Sequence, residues 1–178
     1  LKMLYRDAEI LIFDEPTAVL TPQEIEHLMQ IMKQLTAEGK SIIIITHKLK
    51  EIKAVAKHCT IIRKGKGIGT VVVDEVSEQD LADLMVGRKV TFKLDKEEAP
   101  ILEVENLCVK NARGVEALKN LSLTLREGEI LGVAGIEGNG QTELIEAITG
   151  LKPADSGTVK LNGKDISKMS VRQRTEAG

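Results

Sequence analysis

The stretch Ile10-Leu11-Ile12-Phe13-Asp14-Glu15-Pro16-Thr17 decides the fold. Its run of apolar residues reads as a strand buried on both faces, as in a parallel sheet covered by helices. A pair of carboxylates follows at the C-terminal end of that strand, which is where open α/β sheets bind their ligands. Asp14 suits a magnesium ion that also touches phosphate oxygens, and Glu15 suits the positioning of an attacking water. A core strand stopped by a polar turn would explain the same residues, and the segments around it decide between the two.

Downstream, Thr21-Pro22-Gln23-Glu24 forms a capping box with proline at the first helical position. The helix it starts carries Ile25, Leu28, Met29, Met32 and Leu35 on one face and ends at Gly39. Its methionines read as core filler. Ser41-Ile42-Ile43-Ile44-Ile45 is a second buried strand that runs into Thr46-His47, so strand, helix and strand make a right-handed parallel crossover. An amphipathic helix over Lys48 to Lys57 turns Leu49, Ile52, Val55 and Ala56 inward. Cys59 to Val73, interrupted by Lys64-Gly65-Lys66-Gly67, reads as a hairpin whose cations Arg63, Lys64 and Lys66 form a solvated turn, and Ser77 to Val86 reads as a short helix. Upstream, residues 1 to 8 read as the tail of a helix.

Residues 91–100 are charged, poor in large apolar side chains and end in Pro100, which marks a linker. Beyond it Ile101 to Val109, Ala117 to Leu125 and Ile130 to Ala134 read as strands. The last of these enters Gly135-Ile136-Glu137-Gly138-Asn139-Gly140-Gln141-Thr142, followed by a helix to Thr149 that stops at Gly150. That loop has the form G-x-x-x-x-G-x-T between strand and helix, which turns backbone N–H groups and a helix N-terminus toward phosphates. Gln141 stands where a lysine would reach the β- and γ-phosphates, which argues against efficient hydrolysis at this loop. A hairpin at Asn162-Gly163 and the start of another helix complete the chain.

Composition sets the outer bounds. The chain has 178 residues, 42% hydrophobic and 29% charged, enough for a packed core. A net charge of −2 gives no broad field to attract nucleic acid or an anionic membrane. No apolar run approaches the roughly 18 residues of a bilayer-spanning helix, so a membrane role would come through partners. Cys59 and Cys108 lie far apart with no metal spacing and read as buried thiols of a reducing compartment. The chain shows no signal peptide, opens on Leu1 and stops inside a helical pattern, and so reads as a piece of something longer.

The order of the motifs is the sharpest clue. The carboxylate-bearing strand precedes the phosphate loop, with a linker between them, the reverse of their order in a single P-loop ATPase domain. With His47 at the end of the next buried strand, the chain resembles an ABC-type ATPase subunit with two nucleotide-binding domains in one polypeptide. Ile10 to Asp14 matches the Walker B strand, Glu15 the catalytic glutamate, Thr17 to Thr21 the D-loop (with Thr21 in place of the more common aspartate) and His47 the switch histidine. Leu118-Lys119-Asn120-Leu121-Ser122, Glu127-Gly128-Glu129-Ile130 and Ser156-Gly157-Thr158 resemble the lead-in to an ABC phosphate loop and the hairpin beyond it. Leu84-Met85-Val86-Gly87-Arg88 and the degenerate loop resemble the bacterial importers of simple sugars and nucleosides, and Gly138-Asn139-Gly140-Gln141 leans toward the nucleoside branch.

The resemblance implies an α/β fold, the ABC core of the P-loop NTPases, mostly parallel with flanking helices and an antiparallel β portion. It implies that residues 1–90 are the C-terminal half of a first domain, 91–100 a linker and 101–178 the N-terminal half of a second. Its cofactors would be ATP and Mg²⁺. Glu15 and His47 would be catalytic, and Asp14 and Thr142 would hold the metal. Gly135, Gly138, Asn139, Gly140, Gln141 and Thr142 would cradle phosphates. Partners would be two membrane permease subunits and a substrate-binding protein, with no nucleic acid, at the cytoplasmic face of the membrane as a peripheral subunit. The transported solute is not legible, and the piece alone is expected to be inactive.

Two alternatives stay open. A soluble ABC protein acting on ribosomes or nucleic acid is disfavoured by the short linker and Gln141. A non-hydrolysing regulatory module is disfavoured for the first half by Asp14, Glu15 and His47. For the second half it stands level with nucleotide binding, because no Phe, Tyr or Trp follows Ile101 to stack on adenine, leaving Arg113 as the substitute. In an ABC core the strands at Ile10 to Phe13 and Ile130 to Ala134 would lie side by side. The two halves are therefore expected to pair into one permuted sheet, within the chain or between copies, with Asp14 and Glu15 close to Gly140 and Thr142.

Overall fold

The computed structural model describes residues 8–87, 99–136 and 138–178. The first half runs β1 (Ile10–Asp14), α1 (Pro22–Ala37), β2 (Ser41–Thr46), α2 (Leu49–Val55), β3 (His58–Arg63), β4 (Lys66–Val72) and α3 (Glu78–Val86). The second runs β5 (Pro100–Lys110), β6 (Glu116–Arg126), β7 (Ile130–Ala134), α4 (Gln141–Thr149), β8 (Ser156–Leu161), β9 (Lys164–Asp165) and α5 (Val171–Ala177). Helices α1, α3 and α5 start where their capping boxes dictate. Thr21 Oγ1 accepts from the Glu24 N–H while Glu24 Oε2 accepts from the Thr21 N–H, and the Ser77/Asp80 and Ser170/Gln173 pairs repeat the arrangement.

Both halves build one five-stranded sheet of order β1-β2-β7-β3-β4, parallel except for the antiparallel edge strand β4. Strand β7, from the second half, lies between β2 and β3 of the first, with Leu131 paired to Ile43 on one side and His58 on the other. Every residue of β2 and of β7 is buried. Alternation assigns their side chains to two cores. Ile42, Ile44 and Ile130 face a layer that includes Met29, Met32, Ile52 and Leu81 from α1, α2 and α3. Ile43, Ile45, Leu131 and Val133 face α4 and the second sheet, an antiparallel β6-β5-β8-β9.

Ile12 and Val133 thus share a sheet, but their strands are not neighbours as expected, because β2 lies between them. The reason is burial. An all-apolar strand such as β2 needs hydrogen-bonding partners on both edges, whereas β1 is only partly buried and tolerates the sheet edge. The linker expected at 91–100 falls outside the described residues up to position 98, and Pro100 opens β5. The helix tail expected at residues 1 to 8 and Arg88 also fall outside, except for Ala8. Cys59 is buried and its thiol is pushed up to about 12 by that burial. Cys108 departs from expectation: it is only half-buried, and it exchanges hydrogen bonds with Asn120, whose N–H lies 3.3 Å from its Sγ.

Long-range polar contacts fasten the periphery. Arg174 of α5 donates through Nη1 to the carbonyls of Ala147 (2.6 Å) and Ile148 (2.7 Å), satisfying acceptors near the C-terminal end of α4. At the bottom of the sheet His58 Nδ1 donates to Glu129 Oε2 at 2.6 Å, joining β3 to the turn before β7.

Gly132 tests the inserted strand. A Cβ there would lie 2.7 Å from Ile52 Cδ1 and 3.2 Å from Ile52 Cγ2, so helix α2 of the first half rests on β7 of the second closely enough that Ile52 would have to shift. Gly132→Val should destabilise the chain by about 1–3 kcal/mol through overpacking. A denaturant midpoint equal to that of the unsubstituted protein would show that α2 does not pack there.

Candidate functional site

Parallel pairing in register brings the C-terminal ends of β1, β2 and β7 to the same level, with Asp14 opposite Ile45 and Thr46 opposite Ala134. The segments that leave those ends therefore emerge side by side. Around them a cavity of about 340 Å³ is lined by Asp14, Glu15 and His47 from the first half and by Gly138, Gln141 and Thr142 from the second. Gly135, Asn139 and Gly140 belong to the same loop but do not line this cavity.

Glu15 is the pivot of the first group. Its φ of 42° places a non-glycine residue in the left-handed region, a conformation that persists only where neighbours enforce it. Its N–H donates to Ile45 O at 2.9 Å, which fixes the turn against β2. His47 Nδ1 donates to Glu15 Oε1 at 2.8 Å, and the His47 backbone N–H reaches the same oxygen at 3.2 Å. The other oxygen, Glu15 Oε2, is buried and has no hydrogen-bond partner among the described residues. Beside it, burial and then the charge of Glu15 raise the carboxyl of Asp14 above its ordinary value.

The loop between β7 and α4 is shaped by its glycines. Gly138 and Gly140 have φ of 84° and 104°, and a Cβ on Gly140 would meet Ala117 O at 2.7 Å. Helix α4 begins with no side-chain cap, so its first N–H groups remain available to an anion. The Gln141 amide lies across the loop, donating from Nε2 to Ile136 O and accepting at Oε1 from the Asn139 N–H, both at 3.0 Å. Gln141 thus occupies one backbone N–H, that of Asn139, that a phosphate-binding loop would present to its ligand. The turn at Lys64 is not merely solvated as expected, because its N–H donates to Asn139 Oδ1 at 3.0 Å and anchors the loop.

A cation fits these donors. Asp14 and the Thr142 hydroxyl are hard oxygen donors lining one cavity, and a divalent ion would offset the adjacent negative charges of Asp14 and Glu15. Among the described residues no group of three or more His, Cys, Asp or Glu forms a metal cage. The lining of this cavity holds no lysine or arginine, so anion attraction there rests on backbone, helix terminus and cation. A second cavity of about 490 Å³ shares Gly138 and Thr142 and extends to Lys64, Val115 and Lys119. Arg113, the expected stacking substitute, sits exposed in the 111–115 turn and does not line it.

Sequence reasoning missed one group here. Thr17, Thr46 and Glu51 form a buried polar cluster directly beneath Glu15 and His47, joined by the Lys48 ammonium. The available signal was a glutamate one residue from Ile52 and one helical turn before Val55, at the border of the apolar face of α2.

Comparison with known proteins places this geometry in context. The family described as ABC transporter matches residues 118–177. The nucleoside import ATP-binding protein NupA of Lactococcus lactis is 59% identical over 99% of this chain and 36% of its own length. The guanosine import ATP-binding protein NupO of Bacillus subtilis is 57% identical over 100% of this chain and 36% of its own. The glucose import ATP-binding protein TsgD13 of Haloferax volcanii is 47% identical over 100% of this chain and 33% of its own. The chain spans about a third of the length of these relatives.

The raised carboxyl of Asp14 makes a test of its own. A group whose native value lies above its unfolded value costs stability once both states are ionised and costs nothing below the ordinary 3.8. Asp14→Asn should therefore raise the melting temperature of the ligand-free protein at neutral pH, with the gain shrinking as pH falls toward 3.8 and through it. Equal melting temperatures at pH 7 would show that Asp14 carries no such penalty.

Proposed function

We propose, on the premise that the chain belongs to the ABC transporter ATP-binding family, that its carboxylate-histidine cavity serves ATP hydrolysis in a bacterial importer of nucleosides or simple sugars. The observation that carries this reading is the cavity in which Asp14, Glu15 and His47 face Gly138, Gln141 and Thr142. The relatives named for nucleoside and guanosine import are 59% and 57% identical, against 47% for the one named for glucose, which favours nucleosides.

In this reading Asp14 and Thr142 hold Mg²⁺, which when bound neutralises charge on the phosphate oxygens. Glu15, held through Oε1 by His47, orients the attacking water and accepts its proton. His47, exposed at the cavity mouth, keeps its second ring nitrogen for the γ-phosphate. Gly135, Gly138, Asn139, Gly140, Gln141 and Thr142 present the loop to phosphates, and the Gln141 amide makes it a weak cradle. Residues 1–90 and 101–178 are read as the C-terminal half of one nucleotide-binding domain and the N-terminal half of the next, joined by 91–100. Two permease subunits and a substrate-binding protein complete the importer, with this chain peripheral on the cytoplasmic face. No helix among the described residues is long and apolar enough to cross a membrane.

Glu15→Gln and His47→Ala, each in the full-length protein assembled with its permease, should lower ATP turnover by about 10²-fold or more while leaving ATP affinity within about threefold. Turnover within about threefold of the unsubstituted complex for either variant would contradict the assignment. Gln141→Lys removes the amide staple and adds a cation, and should tighten binding of a fluorescent ATP analogue at that loop. Unchanged affinity would mean that the loop does not hold phosphates.

A further inference from the structure

We propose that Glu51 is a positioning residue that holds the Glu15 turn and the His47 segment in their working geometry, an inference that rests on the ATPase reading of the same site. The carboxylate is 5% exposed and lies between two threonines that are each 1% exposed. Thr17 Oγ1 donates to Glu51 Oε1 at 2.5 Å, and Thr46 Oγ1 donates to Glu51 Oε2 at 3.1 Å. Thr17 lies two residues beyond Glu15, and Thr46 immediately precedes His47. One side chain thus ties the turn that carries the carboxylate to the strand end that carries its histidine.

The hydrogen-bond inventory makes a carboxylate the required group. Thr46 Oγ1 already accepts from the Lys48 N–H at 3.0 Å, and Thr17 Oγ1 accepts from Lys48 Nζ at 2.9 Å. Each hydroxyl therefore points its single proton at Glu51, so both oxygens of the bridging group must accept. An amide offers one acceptor, so one hydroxyl would have to turn its proton away from position 51 and accept from the NH₂ instead. The Lys48 ammonium, which also donates to Thr17 O at 3.0 Å, would lose its counter-charge 3.5 Å away. An incompletely satisfied network in a buried site is costly and free to rearrange.

The turn it holds is one that would not hold itself. Glu15 sits at φ 42°, and the 15–20 segment carries only the 3.3 Å bonds Ala18 N–H to Glu15 O and Leu20 N–H to Thr17 O within it. The Glu15 N–H stays fixed to Ile45 O, so relaxing Thr17 frees the chain beyond Glu15 and lets the Glu15 side chain shift against His47. Displacements of about 1 Å at reacting groups cost on the order of 10²-fold in rate. The phosphate loop touches none of these residues through a hydrogen bond among the described residues, so nucleotide affinity stays outside the effect.

Glu51→Gln in the full-length, assembled protein is the test. Its kcat should fall about tenfold or more with the KM for ATP and the affinity for a fluorescent ATP analogue within about threefold. A parallel fall in kcat, affinity and melting temperature would assign Glu51 to packing alone and overturn the proposal, as would an unchanged kcat. Should Glu51→Gln not fold, Thr17→Val, nearly isosteric and leaving one carboxylate oxygen without its donor, should reproduce the selective loss of kcat, and an unchanged kcat there overturns it equally. Glu15→Gln measured alongside separates the two levels. If that variant keeps full turnover the ATPase reading itself is wrong, whereas its loss beside an unaffected Glu51→Gln disproves only the positioning role.

Discussion

The parallel ladder between β2 and β7 is the interaction on which the rest of the structure depends. It joins the first and second halves of the chain at the centre of the sheet, and β3 closes on the other edge of the same strand. Strands that are apolar on both faces cannot leave their backbone groups to water, so the pairing satisfies hydrogen bonding and hydrophobic burial together. Both cores inherit their position from it. The helical layer under Ile42 and Ile44 and the layer that joins α4 to the second sheet sit on opposite faces of those strands.

The candidate site is a consequence of that register rather than of any one motif. Because Thr46 pairs with Ala134, the histidine after β2 and the glycine-rich loop after β7 leave the sheet together, and the Asp14-Glu15 end of β1 completes the rim. The site also carries local costs. Glu15 holds a left-handed backbone and an unpartnered oxygen, and Asp14 sits beside a like charge that raises its carboxyl. Binding groups often lie where local stability has been given up.

Local features were legible in the sequence to the residue. The strand at Ile130 to Ala134, the helix stop at Gly150 and the cap at Thr21 depend on runs and spacings within a few residues, and they fall where the pattern places them. The meeting of Asp14, Glu15 and His47 followed from equal strand ends in a parallel crossover. Strand order was less legible, since burial on both faces says that a strand is central without naming its neighbours, and β2 came to lie between β1 and β7. Least legible were Glu51, Arg174 and the His58–Glu129 pair, whose partners lie far along the chain and leave no periodic signal.

The central claim is that β7 fills the slot between β2 and β3, and nuclear Overhauser contacts from Val133 in the 178-residue chain test it most directly. The account predicts backbone contacts from Val133 to Ile45 on one side and to Thr60 on the other, as the parallel registers require. Direct contacts between the strands of Ile45 and Thr60, with Val133 contacting neither, would contradict it.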